Sequence, residues 1–124
     1  MQAIELFNER HKKPQQGKAL VDAIELRVAD KSQIQMVAAT VPPALGVFVE
    51  LPILGAARDP AVLDEMIAAI GDVDLTLFAK IRTGGVTADL IPSVEQVAGF
   101  IARCASHSVG FKATAGLHLS LIHI

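Results

Sequence analysis

The chain has no tryptophan, no tyrosine and a single cysteine, Cys104. One cysteine excludes an internal disulfide and a cysteine-rich zinc site, which is typical of a reducing compartment, so we expect a cytoplasmic protein. With no Trp or Tyr for base stacking and a formal net charge of -2, the sequence does not favour nucleic-acid binding. No apolar run approaches the roughly 18 residues that a membrane helix needs, so we expect no membrane contact.

Cofactor signatures are also missing. The sequence contains no phosphate-binding loop of the Walker type, no G-x-G-x-x-G fingerprint, no zinc motif and no G-x-S-x-G elbow. The histidines His11, His107 and His123 show no metal-ligand spacing, and Cys104 lies in a helical pattern typical of a small core residue. We therefore expect no cofactor and no metal.

The residues that are present point to one compact domain. Of the 124 residues, 52% are hydrophobic and only 19% are charged, a balance that favours strands buried on both faces. Strand-like segments alternate with helical ones, which predicts βα repeats, a parallel sheet and right-handed crossovers. The expected strands are 21–28, 44–53, 75–85 and 110–117, and the expected helices are 2–12, 32–39, 60–70 and 94–105.

Two helix starts carry explicit signals. Asp59 followed by Pro60 is an N-cap with proline in the first turn. Ser93 and Gln96 have the spacing of a capping box, in which each side chain bonds to the backbone of the other residue. These signals fix the starts of the third and fourth helices.

The last six residues, LSLIHI, do not fit the repeat. They are similar to the translation of a transposase mosaic-end sequence used to build shotgun sequencing libraries. We therefore expect a domain over residues 1–118, belonging to a chain interrupted after His118, and an artefactual tail over 119–124. A genuine amphipathic terminal strand is the alternative.

Charged and polar side chains lie toward the C-terminal end of every expected strand, where ligands bind in parallel α/β folds. Alternation along a strand places residues two apart on one face. The candidate site residues are Glu25, Arg27, Glu50, Lys80, Arg82, Thr83, Gly84, Gly85, Lys112, Thr114 and His118. The four cations exceed the two acids, so we expect a small anionic metabolite as partner; self-association into a homo-oligomer stays open. The alternative is a set of rim ion pairs, Glu25 with Arg27 and Glu50 with a lysine.

In order, VDAIELRV, VFVELPI, FAKIRTGG and FKATAGLH resemble the fourth to seventh strands of class I aldolases of the deoxyribose-phosphate aldolase type, over about residues 21–117. The resemblance implies an incomplete TIM (β/α)8 barrel of about four units. It also implies a Schiff-base lysine at Lys80 in a K-x-x-T-G strand, a second lysine at Lys112, and acids at Glu25 and Glu50. The sequence departs from the family pattern where Glu25 stands for a shorter aspartate, Arg82 for a small hydroxyl residue and His118 for a basic turn. FAKIRTGG followed by FKATAGLH also resembles strings of uncharacterised bacterial proteins, so a family of unknown function is a further alternative.

The expected chemistry is that of a lyase-type aldolase acting on a small phosphorylated or carboxylated carbonyl compound. Burial and repulsion from Lys112 are expected to lower the pKa of Lys80 and free its amine to attack the carbonyl. Glu25 or Glu50 would move the proton, and Arg82 would hold an anionic group. We expect this activity of the full-length protein and expect the fragment by itself to be inactive. The alternatives are a phosphosugar-binding barrel such as a phosphoribosyltransferase, in which the lysines only bind phosphate, and a non-catalytic fragment of an uncharacterised barrel protein.

Overall fold

A computed structural model describes residues 1–12, 19–73 and 76–115, and every structural statement below refers to them. Helices and strands alternate as the sequence predicts. In chain order the elements are α1 (Gln2–His11), β1 (Ala23–Arg27), α2 (Lys31–Thr40), β2 (Gly46–Glu50), α3 (Pro60–Gly71), β3 (Leu77–Arg82), α4 (Val94–Ser106) and β4 (Phe111–Thr114), with short 3-10 turns at Ala56–Arg58 and Ala88–Leu90.

The four strands form one parallel sheet in the sequential order β1-β2-β3-β4. The register aligns four charged residues across it, because Arg27 pairs with Glu50, Glu50 with Lys80, and Lys80 with Lys112. Paired residues of adjacent strands point to the same face of a sheet. The predicted α/β architecture with sequential parallel strands is therefore confirmed, and the register brings one charged row to one face.

The other face of the sheet carries the hydrophobic core. Val47, Val49, Ala79 and Ile81 are fully buried there. Helix α3 contacts β3, α2 and α4, so the three helices form a single layer over this face. Helices on one side only, as predicted, leave the opposite face of the sheet to the charged row.

Local capping explains where the helices begin and end. Asp59 accepts a hydrogen bond from the Ala61 amide at the start of α3, and both bonds of the Ser93–Gln96 capping box are present at the start of α4. At the end of α4, Ser108 adopts a positive φ of 56°. The Val109 amide then donates to the Cys104 carbonyl, at 2.8 Å, which closes the helix with a Schellman-type cap.

The strands are shorter than predicted at both ends, since β1, for example, runs from Ala23 to Arg27 where 21–28 was expected.

Helix α1 lies at the opposite end of the sheet from the charged row. There the Asn8 side chain bonds both backbone groups of Val21, at 2.6 and 2.7 Å, just before β1. The predicted tail, residues 119–124, and the domain limit at His118 lie outside the described residues.

Two side chains that the sequence analysis excluded from the site, Cys104 and His107, contribute to the packing of the helices. Cys104 is fully buried, and burial raises the pKa of its thiol to about 11, so it is an unreactive core residue as predicted. His107 contacts the Asp64 carboxylate at 3.0 Å and links α4 to α3. Within residues 1–12, 19–73 and 76–115, no helix is both long enough and apolar enough to span a lipid bilayer.

Candidate active site

Lys80 lies at the centre of the charged face and is only 5% exposed. Its Nζ donates to Glu25 Oε2 at 2.6 Å and lies 3.1 Å from Glu50 Oε1. An unpaired ammonium in such a position would be very costly, and two carboxylates offset that cost. The buried strand lysine is therefore held by acids from the two preceding strands.

Glu25 and Lys112 join the two outer strands. The Lys112 ammonium forms a salt bridge with Glu25 Oε1 and lies 4.0 Å from the centre of the Phe48 ring. Strands β1 and β4 are separated by two others, which in a flat sheet would place them about 14 Å apart. Side chains stand roughly perpendicular to a sheet, so the contact between Glu25 and Lys112 indicates that the sheet curves toward this face. The charged residues therefore line a concave surface.

The two arginines share Glu50. Arg27 Nε donates to Glu50 Oε2 at 2.6 Å, whereas Arg82 Nε lies 3.7 Å from Glu50 Oε1. In the alternative set of rim ion pairs, the pairing of Glu25 with Arg27 is wrong, because Arg27 contacts Glu50, the residue opposite it on β2. The other pairing of that alternative, Glu50 with a lysine, is present as the contact with Lys80. Four cations thus surround two carboxylates, and the surplus of positive charge predicted for this face is present.

Ionisation follows from these contacts. Hydrogen bonds from Lys112 and then Lys80 lower the pKa of Glu25 from 4.5 to about 2. Burial acts to raise the pKa of Glu50, but the contacts with Lys80 and Arg27 outweigh it and the pKa is lowered. Both acids are therefore carboxylates at neutral pH.

The expected lowering of the Lys80 pKa is wrong. Burial does act to lower it, but the hydrogen bonds to Glu25 and Glu50 outweigh burial and raise the pKa above its ordinary value. Lys112 does not oppose Lys80 directly, because its ammonium is neutralised by the carboxylate of Glu25 that also binds Lys80. The sequence suggested repulsion between the two lysines, but the carboxylate of Glu25 lies between them and offsets that repulsion.

A cavity of about 980 Å³ opens over this face at the C-terminal ends of the strands. Its volume lies at the upper end of the range for small-molecule sites. Seven of the predicted site residues line it directly, namely Glu25, Arg27, Lys80, Arg82, Gly84, Gly85 and Thr114. Glu50 and Lys112 do not line the cavity but contact the residues that do.

The remaining predicted residues differ in their placement. Thr83 does not line the cavity, and its amide donates to the Thr114 carbonyl at 2.7 Å. Close packing explains why residues 84 and 85 are glycines. A Cβ on Gly84 would lie 2.7 Å from the Ala115 carbonyl oxygen, and one on Gly85 would lie 2.4 Å from Leu90 Cβ. His118 lies outside the described residues, so its membership of the site stays a prediction.

The apolar wall of the cavity was missed by sequence reasoning. Ile53, Leu54, Val86 and Leu90 line it from the loops that follow β2 and β3. Phe48, which lies under the Lys112 ammonium, was also missed. Phe48 precedes Glu50 by two residues, so strand alternation could have placed it on the charged face. The loop residues gave no periodic signal.

No described group of three or more His, Cys, Asp or Glu side chains could hold a metal ion, within the three ranges given above. No protein-family model, curated protein or solved structure matches this chain. The aldolase resemblance therefore stays an expectation based on short motifs, and the site must be interpreted from its own chemistry.

Proposed function

We propose that the sheet is part of a (β/α)8 barrel, that its strand ends bind a small anionic carbonyl compound, and that Lys80 forms an imine with that compound in an aldolase-type lyase reaction. The sequential parallel order, the single helix layer and the concave charged face support the barrel. In that architecture the C-terminal ends of the strands carry the catalytic residues.

The observation that carries the proposal is the position of Lys80. Its amine is nearly buried, lines the cavity and contacts two carboxylates that can move protons. A nucleophile next to a general base, facing a cavity with surplus positive charge, is the arrangement that imine chemistry requires. A lysine that only closed a sheet would not need to face the cavity.

The reaction balances without a co-reactant. The ammonium of Lys80 loses a proton, the neutral amine adds to the carbonyl carbon, and the carbonyl oxygen leaves as water. Ammonium and carbonyl compound thus give iminium and one water. In aldol cleavage a base then takes the proton of the β-hydroxyl group, the adjacent C–C bond breaks, and its electron pair moves into the iminium to give an enamine. Of the two carboxylates, Glu25 lines the cavity, which supports it as the base that takes that proton.

A second candidate function is binding of a phosphosugar without covalent chemistry. The raised pKa of Lys80 favours this alternative, because a protonated amine binds anions but does not attack carbonyls. In this function the arginines and lysines supply only charge.

Borohydride trapping separates the two functions. The full chain is incubated with acetaldehyde or glyceraldehyde 3-phosphate, reduced with borohydride, digested and analysed by mass spectrometry. We expect a stoichiometric adduct on Lys80 that disappears in Lys80→Ala. Lys31→Ala, which removes an exposed lysine on α2, is the matched control and should leave the Lys80 adduct unchanged.

Labelling spread over exposed lysines, with no preference for Lys80, would refute the imine. Protection of the chain against thermal unfolding by inorganic phosphate, in the absence of any adduct, would then support the phosphosugar-binding function.

A further inference from the structure

The site positions one arginine very close to the reacting amine. Lys80 Nζ and Arg82 Nε both lie against Glu50 Oε1, at 3.1 and 3.7 Å. The two nitrogens can therefore be no further apart than the sum of those distances. A ligand that spans them must be compact.

From this geometry we infer that the substrate is a 2-oxo acid, with its carboxylate bonded directly to the carbonyl carbon and bound by Arg82. This inference rests on the imine proposed for Lys80. It goes beyond that proposal by fixing where the anionic group of the substrate lies.

The reach of a 2-oxo acid fits the spacing. The new C–N bond is about 1.4 Å, the carboxylate oxygens lie about 2.4 Å from the carbonyl carbon, and a charge-assisted hydrogen bond to a guanidinium adds about 2.8 Å. A carbonyl compound with its phosphate several bonds away must fold back to use the same arginine. The compact anion is therefore the better match.

Arg82 also has donors to offer. Its side chain is 47% exposed and lines the cavity. Among the described residues it makes only the long contact with Glu50, through Nε, while Arg27 is bound at 2.6 Å. A guanidinium has five N–H donors in a planar fork that matches a carboxylate. A planar monoanion also meets less repulsion from the nearby Glu50 than a doubly charged phosphate would.

The imine step is the one already described. Lys80 Nζ bonds to carbon 2 of the 2-oxo acid, the keto oxygen leaves as water, and the carboxylate stays ionised against Arg82. No charge is lost, since the iminium replaces the ammonium. Borohydride then delivers a hydride to carbon 2 and converts the iminium to a stable secondary amine.

The test is a trapping series on the full chain with pyruvate, 2-oxobutanoate, the neutral ketone butanone and glyceraldehyde 3-phosphate. We expect pyruvate to reach half-maximal Lys80 labelling at a concentration at least about tenfold lower than butanone, which corresponds to about 1.4 kcal/mol. Arg82→Gln should remove that advantage, so that pyruvate and butanone reach half-maximal Lys80 labelling at concentrations within about twofold of each other. Arg82→Lys should restore part of it, because a lysine keeps the charge but not the fork. Arg10→Gln on α1, at the far end of the sheet, is the matched charge control.

The other possible outcomes distinguish failure of the 2-oxo acid inference from failure of the proposed imine. Stronger labelling by glyceraldehyde 3-phosphate than by pyruvate, independent of Arg82, would refute the 2-oxo acid and leave the imine standing. An equal loss of pyruvate and butanone labelling in Arg82→Gln would show that Arg82 acts through Glu50 and not on the substrate, which overturns the inference. If no carbonyl compound is trapped, pyruvate binding is measured by calorimetry. Binding that is lost in Arg82→Gln would keep the carboxylate site at Arg82 and refute the imine at Lys80. No binding of pyruvate would refute both the carboxylate site and the imine.

Discussion

Neutralising Glu25 should cost stability at neutral pH and almost none in acid. Glu25 is the carboxylate that binds both lysines of the site, so Glu25→Gln removes both ion pairs while keeping the size of the side chain. In the wild-type chain, protonation of Glu25 has the same effect as this substitution. The two proteins should therefore become alike as the pH falls.

The size and the pH range follow from the pKa. Folding lowers the pKa of Glu25 from 4.5 to about 2, so the unfolded chain binds more protons between these values. The stability gained is fully present above pH 4.5 and is lost as the pH falls toward 2. Since the Glu25 side chain is 44% exposed, solvent screening reduces the gain. We expect about 1–2 kcal/mol at pH 7.

Urea unfolding followed by far-UV circular dichroism measures this difference, because the chain has no Trp or Tyr for fluorescence. The free energies of unfolding of wild type and Glu25→Gln should differ most at pH 6–7, and the difference should shrink below pH 4.5 and vanish only near pH 2. Glu65→Gln, at an exposed position on α3, is the control and should show no such trend. A difference between wild type and Glu25→Gln that stays constant from pH 7 to pH 3 would refute the reasoning.

Three further changes test other parts of the structure. Ser108→Gly should raise the free energy of unfolding by about 0.5–1 kcal/mol, because glycine adopts the positive φ without strain; a lower melting temperature would contradict this. Gly85→Ala should destabilise the chain by about 1–3 kcal/mol in urea unfolding, since the new methyl group would overlap Leu90; wild-type stability would show that the loop yields freely. Lys112→Ala should move the pH profile of Lys80 trapping to higher pH, because Glu25, which contacts both lysines, would then contact Lys80 alone. An unchanged profile would count against the shared contact.

The arrangement of elements was predictable because each signal is local. Asp59 with Pro60 and Ser93 with Gln96 mark helix starts through bonds within one turn, and both are confirmed. Strand ends were predicted less well. The second strand was expected to run through Pro52, but it ends at Glu50. A proline donates no backbone hydrogen bond, so strand composition near it does not ensure pairing.

The membership of the site was largely predictable, and its pairing was not. Alternation in the strands places Glu25, Lys80 and Lys112 on one face, and the parallel order brings their ends together. Which acid meets which base depends on the curvature and register of the sheet, and neither can be read from the alternation within one strand. The sequence therefore suggested repulsion between the lysines where the structure has a shared carboxylate.

The raised pKa of Lys80 and the proposed imine are compatible because of the charge on the product. An iminium is positive, as the ammonium was, so Glu25 and Glu50 still attract its charge, and its single N–H can donate to one of them. Only the neutral amine that the proposed reaction requires would lose this attraction. The two acids thus disfavour the first proton loss and favour the iminium over the neutral amine to a similar degree. A site that binds Lys80 between two carboxylates is for this reason better suited to holding a charged covalent intermediate than to keeping a free amine ready.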